Sequence, residues 1–260
     1  MDEQLGQIAF TRDGLIKKDR IKGIILLAFL VVLLLVVFFA LVVGPSSLSI
    51  GDALAALFGK GTGSAIRIMQ QIRVPRILAG ILAGASLSLA GVILQSTLGN
   101  IMASPSTLGV TNAAVFGANL SILVIGGGML DTGNNAANLV SSVNPYLAST
   151  LAFVFSTISV LLILGLSAFR KYSPSVVVLS GLAIGAVWTG LTTLIQFFSS
   201  DVGLSAAVIW SFGDLGRATY SDIIIMGASL LITSIFFFLL RHRYNALLAG
   251  EAYAKSLGIT

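Results

Sequence analysis

Little in this 260-residue chain has the residue types that catalysis or metal binding requires. There are no cysteines, which removes disulfides and thiolate metal sites. His242 is the one histidine, so no histidine-based metal cluster can form. The nearest approach to a phosphate loop is Gly59-Lys60-Gly61-Thr62-Gly63. A Walker A loop needs a glycine five residues ahead of the glycine that precedes the lysine, and Ser or Thr directly after the lysine. Leu54 and Gly61 occupy those positions, so the segment reads as a flexible turn. No HExxH motif, Asp pair or Ser–His pair lies in an apolar stretch, which argues against an intramembrane protease. The chain reads as a non-enzyme, with no catalytic residue, no metal site and no cofactor of its own.

The elements around these few polar groups are apolar. Hydrophobic residues make up 56% of the chain, charged residues 10%, and the mean hydropathy is +1.00. Soluble domains carry about 25% charged residues. A chain this apolar cannot cover itself with polar surface in water, but it can in lipid. A bilayer-spanning helix needs about 20 mostly apolar residues. Uncharged runs at Gly23–Val43, Ile77–Leu98, Ser106–Leu130, Tyr146–Phe169, Ser175–Phe198 and Ile223–Leu240 give six spans. The first run is longer than the apolar core of a signal peptide, so it reads as a retained span. The expected fold is all-α, a polytopic transmembrane helical bundle. Residues 1–22 precede it. Its membrane domain is 23–244, with spans near 23–43, 73–98, 106–130, 146–169, 175–199 and 221–242. Val202–Ser211 is too short to cross and reads as a surface or re-entrant helix near 202–217. Residues 245–260 read as a short terminal helix, with Asn245 able to cap its start, Glu251 and Lys255 as an i, i+4 pair, and Gly258 at its end.

Basic residues orient the bundle. Arg12, Lys17, Lys18, Arg20, Lys22, Arg170, Lys171, Arg241, Arg243 and Lys255 fall on one side if six spans alternate. Lys60, Arg67, Arg73, Arg76 and Arg217 fall on the other. The positive-inside rule puts the first side, with both termini, in the cytoplasm. The net charge of +5 therefore serves topology and implies no nucleic-acid partner. The span interiors carry no charge, and Gln95 and Gln196 are their most polar side chains. Intramembrane charges mark ion and proton paths, so their absence argues against a secondary carrier driven by an ion gradient. Gly80 and Gly84 form a GxxxG pair continued by Gly91, a small-residue face suited to helix packing in lipid.

Three stretches then carry a resemblance. They are Arg73-Val-Pro-Arg76, the loop from Gln95 through Asn100, Met102 and Pro105 to Leu108-Gly109, and Gly250-Glu251 with Ala254 and Leu257-Gly258. With Leu179-Ser-Gly181, Gly185, Trp210, Gly213 and Gly216, residues 60–260 resemble the FecCD family. Its members are permease subunits of ABC importers for iron–siderophore, haem and cobalamin. The resemblance implies a bacterial plasma-membrane importer in which this chain pairs with a second permease copy, as homodimer or paralogous heterodimer. Cytoplasmic ABC ATPase subunits would bind ATP–Mg, and an external substrate-binding protein would deliver the chelate. It also implies roles by position. Gly250, Glu251, Ala254, Leu257 and Gly258 would form the coupling helix that docks on the ATPase. Arg73 and Arg76 would dock the binding protein. Asn100, Met102, Ser173 and Ser175 would line the cytoplasmic gate. Where the family has Asn-Pro-Leu-Ala, this chain has Asn100-Ile-Met-Ala103, which lacks the proline. The resemblance accounts for about six of roughly ten spans, so a C-terminally shortened permease is expected. The alternative readings from the residues alone are a non-transporting membrane scaffold or fragment, and a secondary carrier.

Overall fold

The computed structural model describes residues 2–44, 49–126, 129, 145–169, 173–213, 215–248, 250, 255, 256 and 258. Its elements are helical: α1 (Asp2–Val42), α2 (Ile50–Leu57), α3 (Gly63–Arg67), a π-helical segment (Ile68–Arg73), α4 (Val74–Leu98), α5 (Val110–Asn119) and a second π-helical segment (Leu120–Ile125). There follow α6 (Pro145–Ala168), α7 (Pro174–Phe197), α8 (Asp201–Phe212), a 3₁₀ turn (Leu215–Arg217), α9 (Tyr220–Leu239) and α10 (Arg241–Leu248). The chain divides into two compact units, Met1–Leu78 with Gly216–Tyr220, and Ala79–Leu215 with Ser221–Thr260.

Among the described residues, five helical stretches are long and apolar enough to cross a bilayer: Asp19–Val42, Gly63–Leu98, Tyr146–Ala168, Pro174–Phe197 and Tyr220–Leu239. The first expected span is part of one helix that already starts at Asp2, so residues 1–22 are not a separate element. The third expected span, 106–130, is shorter than its apolar run. Residues 104–109 turn instead, because Ser104 and Thr107 exchange hydrogen bonds. The Ser104 amide donates to Thr107 Oγ1 at 2.8 Å and the Thr107 amide to Ser104 Oγ at 3.2 Å. Helix begins only after Gly109, whose φ of 69° is the left-handed region that glycine adopts freely. A short helix does form in the expected 202–217 stretch, as α8, and ends at Gly213.

In the first unit, α2, α3 and the π segment fold on the end of α1. Ala53, Ala56, Ala65 and Met69 are buried together, with Leu41, Leu57, Ile66 and Val74 against them. Ser49 and Thr62 cap α2 and α3, each hydroxyl accepting from a backbone N–H three residues on. The Gly59–Gly63 stretch is the turn between these helices, with Gly59 and Gly61 at positive φ.

In the second unit α5 is packed on both α6 and α7. The approach is close enough that only glycine fits. A Cβ on Gly117 would lie 2.7 Å from the carbonyl carbon of Leu151, and one on Gly109 would lie 2.7 Å from the Gly181 carbonyl oxygen. Phe116, Phe155 and Trp188 fill the space beside these contacts, with ring centroids 5.0 to 5.6 Å apart. Trp188 Nε1 donates to the buried Ser159 Oγ at 3.1 Å, so the indole enters the apolar core with its polar edge satisfied. The expected packing glycines behave differently. Nothing among the described residues comes within 4 Å of a Cβ placed on Gly84 or Gly91, and Gly80 meets only the tip of Leu215. The tight helix contacts use Gly109, Gly117, Gly181 and Gly185 instead.

This contrast is measurable. Gly117→Ala and Gly185→Ala should lower stability in detergent by about 1–3 kcal/mol, because the added methyl meets backbone that cannot yield. Gly84→Ala should be neutral, or stabilising by up to about 1 kcal/mol through helix propensity. Thermal unfolding of the purified variants separates the two classes.

Candidate pathway and docking elements

Asn100 and Ser175, two of the expected gate residues, come together. They line an open cleft of about 480 Å³ with Leu98, Gly99, Pro174, Val178, Leu179 and Leu182. The end of α4 builds one wall. Gly99, at φ 56°, turns the chain out of the helix, and Gln95 Nε2 reaches over the turn to the Ile101 carbonyl at 3.1 Å. Asn100 Oδ1 then accepts from the Met102 amide at 2.9 Å, an Asx turn. This side-chain bond shapes the loop without the proline that the resemblance led one to expect. The start of α7 builds the other wall. Pro174 sits in its first turn, where a missing N–H costs nothing, and the Ser173 carbonyl accepts from the Val176 and Val177 amides at 3.0 Å.

Met102 and Ser173 do not line the cleft. Met102 is 74% exposed, and Ser173 is the residue before α7. The apolar wall of Val178, Leu179 and Leu182 was not anticipated. Its i, i+1, i+4 spacing is ordinary for any helix face, and only Pro174 marked where that face begins. Between Asn100 and Ser175, α6 is long and apolar enough to cross a bilayer, whereas α5 with its π continuation is a shorter apolar helix of sixteen residues.

The two arginines expected to dock a partner are placed unequally. Arg73 is only 7% exposed. Its Nη1 donates to the Leu41 and Val42 carbonyls, the second at 2.9 Å, so the guanidinium caps the C-terminal end of α1. Those carbonyls are among the last of a helix, which have no partner within it, and they carry the negative end of its dipole. Gly44 makes room, since a Cβ there would lie 2.6 Å from Arg73 Nη2. Arg76 is exposed, as are Lys60 and Arg67 of the same unit. An Arg-x-Pro-Arg pattern gives no sign that its first arginine turns inward.

At the end of the chain, Asn245 lies inside α10 and is not the cap that its residue type suggested. The helix had already begun at Arg241. Gly250 follows with φ 116°, a break that only glycine makes easily, and Gly258 has the expected left-handed φ of 73°. Glu251, Ala254 and Leu257 lie outside the described residues. Among the described residues, no three of His, Cys, Asp or Glu gather as a metal site.

Membrane-length helices with uncharged interiors, joined by two loops that meet in an open cleft, define a multi-pass membrane protein of the permease type. The pattern of the FecCD transport family matches residues 32–260, and the chain belongs to that family. A Methanocaldococcus jannaschii protein named as an ABC transporter permease is 42% identical over 244 residues, which cover 94% of this chain and 68% of that protein. The vitamin B12 import system permease protein of Klebsiella pneumoniae is 32% identical over 189 residues, or 73% of this chain and 52% of that protein. A solved inward-facing structure of a metal-chelate type ABC transporter matches with a TM-score of 0.67 at 25% identity, covering 92% of this chain and 68% of that one. The chain thus spans between about half and two thirds of the length of these relatives.

The arginine pair yields a second prediction. Arg73→Ala should lower the thermal midpoint, with about 1–3 kcal/mol lost by leaving buried carbonyls uncapped. Arg76→Ala should leave it unchanged. Parallel unfolding curves in one detergent read the difference.

Proposed function

We propose that this chain forms part of the membrane pathway of an ATP-driven importer for a metal chelate. The observation that carries the reading is the cleft between Asn100 and Ser175. Two loops distant in sequence meet where the resemblance puts the inner gate, and the apolar runs of the spans hold no charge to couple an ion gradient. In this reading the energy comes from another subunit. Family membership supports an ABC ATPase in that role, and the relatives named for vitamin B12 and for metal chelates support a cargo of that class.

In this reading the apolar lining of Val178, Leu179 and Leu182 offers no strong hold on cargo. Selection would then fall to the external binding protein, and the path would only have to open. Arg76 supplies the exposed charge for docking acidic groups of that protein. Arg73 fixes the backbone on which Arg76 is mounted. Residues 250–258 contact the ATPase, with the glycines at either end giving the segment its bends. Both termini lie in the cytoplasm, and a second permease copy completes the path.

The coupling assignment is tested by Glu251→Ala and Gly258→Val, scored by co-purification of an ABC ATPase subunit from native membranes and by chelate uptake. Both should fall several-fold. Retained association with retained uptake would sink the assignment. Arg76→Glu should weaken binding-protein capture, with a defect that shrinks as salt screens the docking charges. A salt-independent defect, or none, would return Arg76 to a headgroup-facing role.

A further inference from the structure

Among the described residues, the largest fully buried polar side chain has no part in the cleft or the docking elements. Asn119 is the last residue of α5, at the junction with the second π segment, and it is 0% exposed. Its amide joins three helices. Oδ1 accepts from Gln196 Nε2 of α7 at 2.9 Å. Nδ2 donates to the Val115 carbonyl of its own helix at 2.8 Å and to Ser211 Oγ of α8 at 3.5 Å. Gln196, one of the two most polar side chains in the apolar runs, is thereby explained.

We propose that Asn119 is a latch that holds α8 in its seat, and that its bond to Ser211 is the arm that opens. Three observations converge on that arm. It is the longest of the three bonds. Both of its ends keep a partner on their own helix if it breaks, since Ser211 Oγ also donates to the Ala207 carbonyl at 2.8 Å and Asn119 retains Val115. Release therefore avoids the full penalty of an orphaned buried group. The buried part of the seat is small on the α8 side: Ala206 and Ala207, both 0% exposed, lie on Ile122 and Leu123 of the π segment, with the part-buried Val202 and Trp210 of α8 against the same cluster. Small side chains interlock little and let one helix shift on another.

The neighbourhood is poised in two further ways. Gly213, at φ 80° and ψ 142°, ends α8 in a conformation that side chains resist, and nothing among the described residues lies within 4 Å of its Cβ position. Ser121 Oγ is fully buried and has no hydrogen-bond partner among the described residues. Other buried helix hydroxyls in this chain bond back four residues, as Ser167 does to Ile163 and Thr192 to Trp188. Ser121 does not, because the backbone there has passed into the wider π register. The α8 seat thus includes one unsatisfied group that a second arrangement can satisfy.

The absence of native cysteine gives a clean test. A single thiol is introduced by Ala206→Cys, under α8, or by Ala113→Cys, under the Phe116–Trp188 cluster, as control. The chain is reconstituted in lipid vesicles and alkylated with a small water-soluble maleimide. Ser211→Ala removes one oxygen and leaves packing intact, so it is the variant safest for folding. It should raise the alkylation rate at the α8 reporter between about threefold and tenfold, the range that a weak interhelical hydrogen bond supports. Asn119→Ala should raise it by a similar factor, and the two together should add nothing. The control reporter should not change. Unchanged rates at the α8 reporter, additive effects of the two substitutions, or a parallel rise at the control thiol would each overturn the latch.

Discussion

Where Gly109 meets Gly181 and Gly185, the start of α5 and the body of α7 come together main chain to main chain, and much of the second unit follows from that contact. Lipid gives no hydrophobic reason for helices to associate, so close dispersion contact and polar bonds have to do it. A backbone approach this near admits no Cβ on either side. It sets the start of α5 against α7 and aligns Asn112 Nδ2 with the Gly185 carbonyl at 3.2 Å. It also fixes the turn of residues 104–109, and through that turn the loop that carries Asn100 to the cleft. The loop that lines the cleft is positioned from behind by glycine.

The first unit rests on a different interaction. A long apolar helix ends with unpartnered carbonyls, and Arg73 reaches back across more than thirty residues of sequence to meet them. A buried guanidinium is tolerable because those carbonyls take its donors, a charge-assisted bond stronger than a neutral one. The same arginine that could have presented charge to a partner instead fastens α1 to the segment leading into α4. Arg76, three residues on, keeps its charge on the surface.

Much of this fold was legible in the residues. Uncharged runs marked the spans, Gly258 marked a left-handed bend, and Val202–Ser211 marked a helix too short to cross. What stayed hidden has a common cause: a pattern along the chain does not say which face of a helix is met. The Gly80–Gly84–Gly91 stripe has the spacing of a packing face, yet none of the described residues packs on Gly84 or Gly91, while Gly117 and Gly185 bear contacts. Arg73 and Arg76 read alike and point apart. Asn119 was passed over within an apolar run, though an amide in such a run has to find partners. The late start of α5 was signalled locally by Ser104, Pro105 and Thr107 and was outweighed by the apolar residues beyond.

The shortness of α5 has an electrical consequence. With its π continuation it has sixteen residues, which span at most about 24 Å against a hydrocarbon layer of about 30 Å. Irregular backbone within a bilayer survives only inside protein or beside water. Were this segment to cross the membrane, the insulating layer beside it would be thinner than in the surrounding bilayer, and the membrane voltage would fall over a shorter distance.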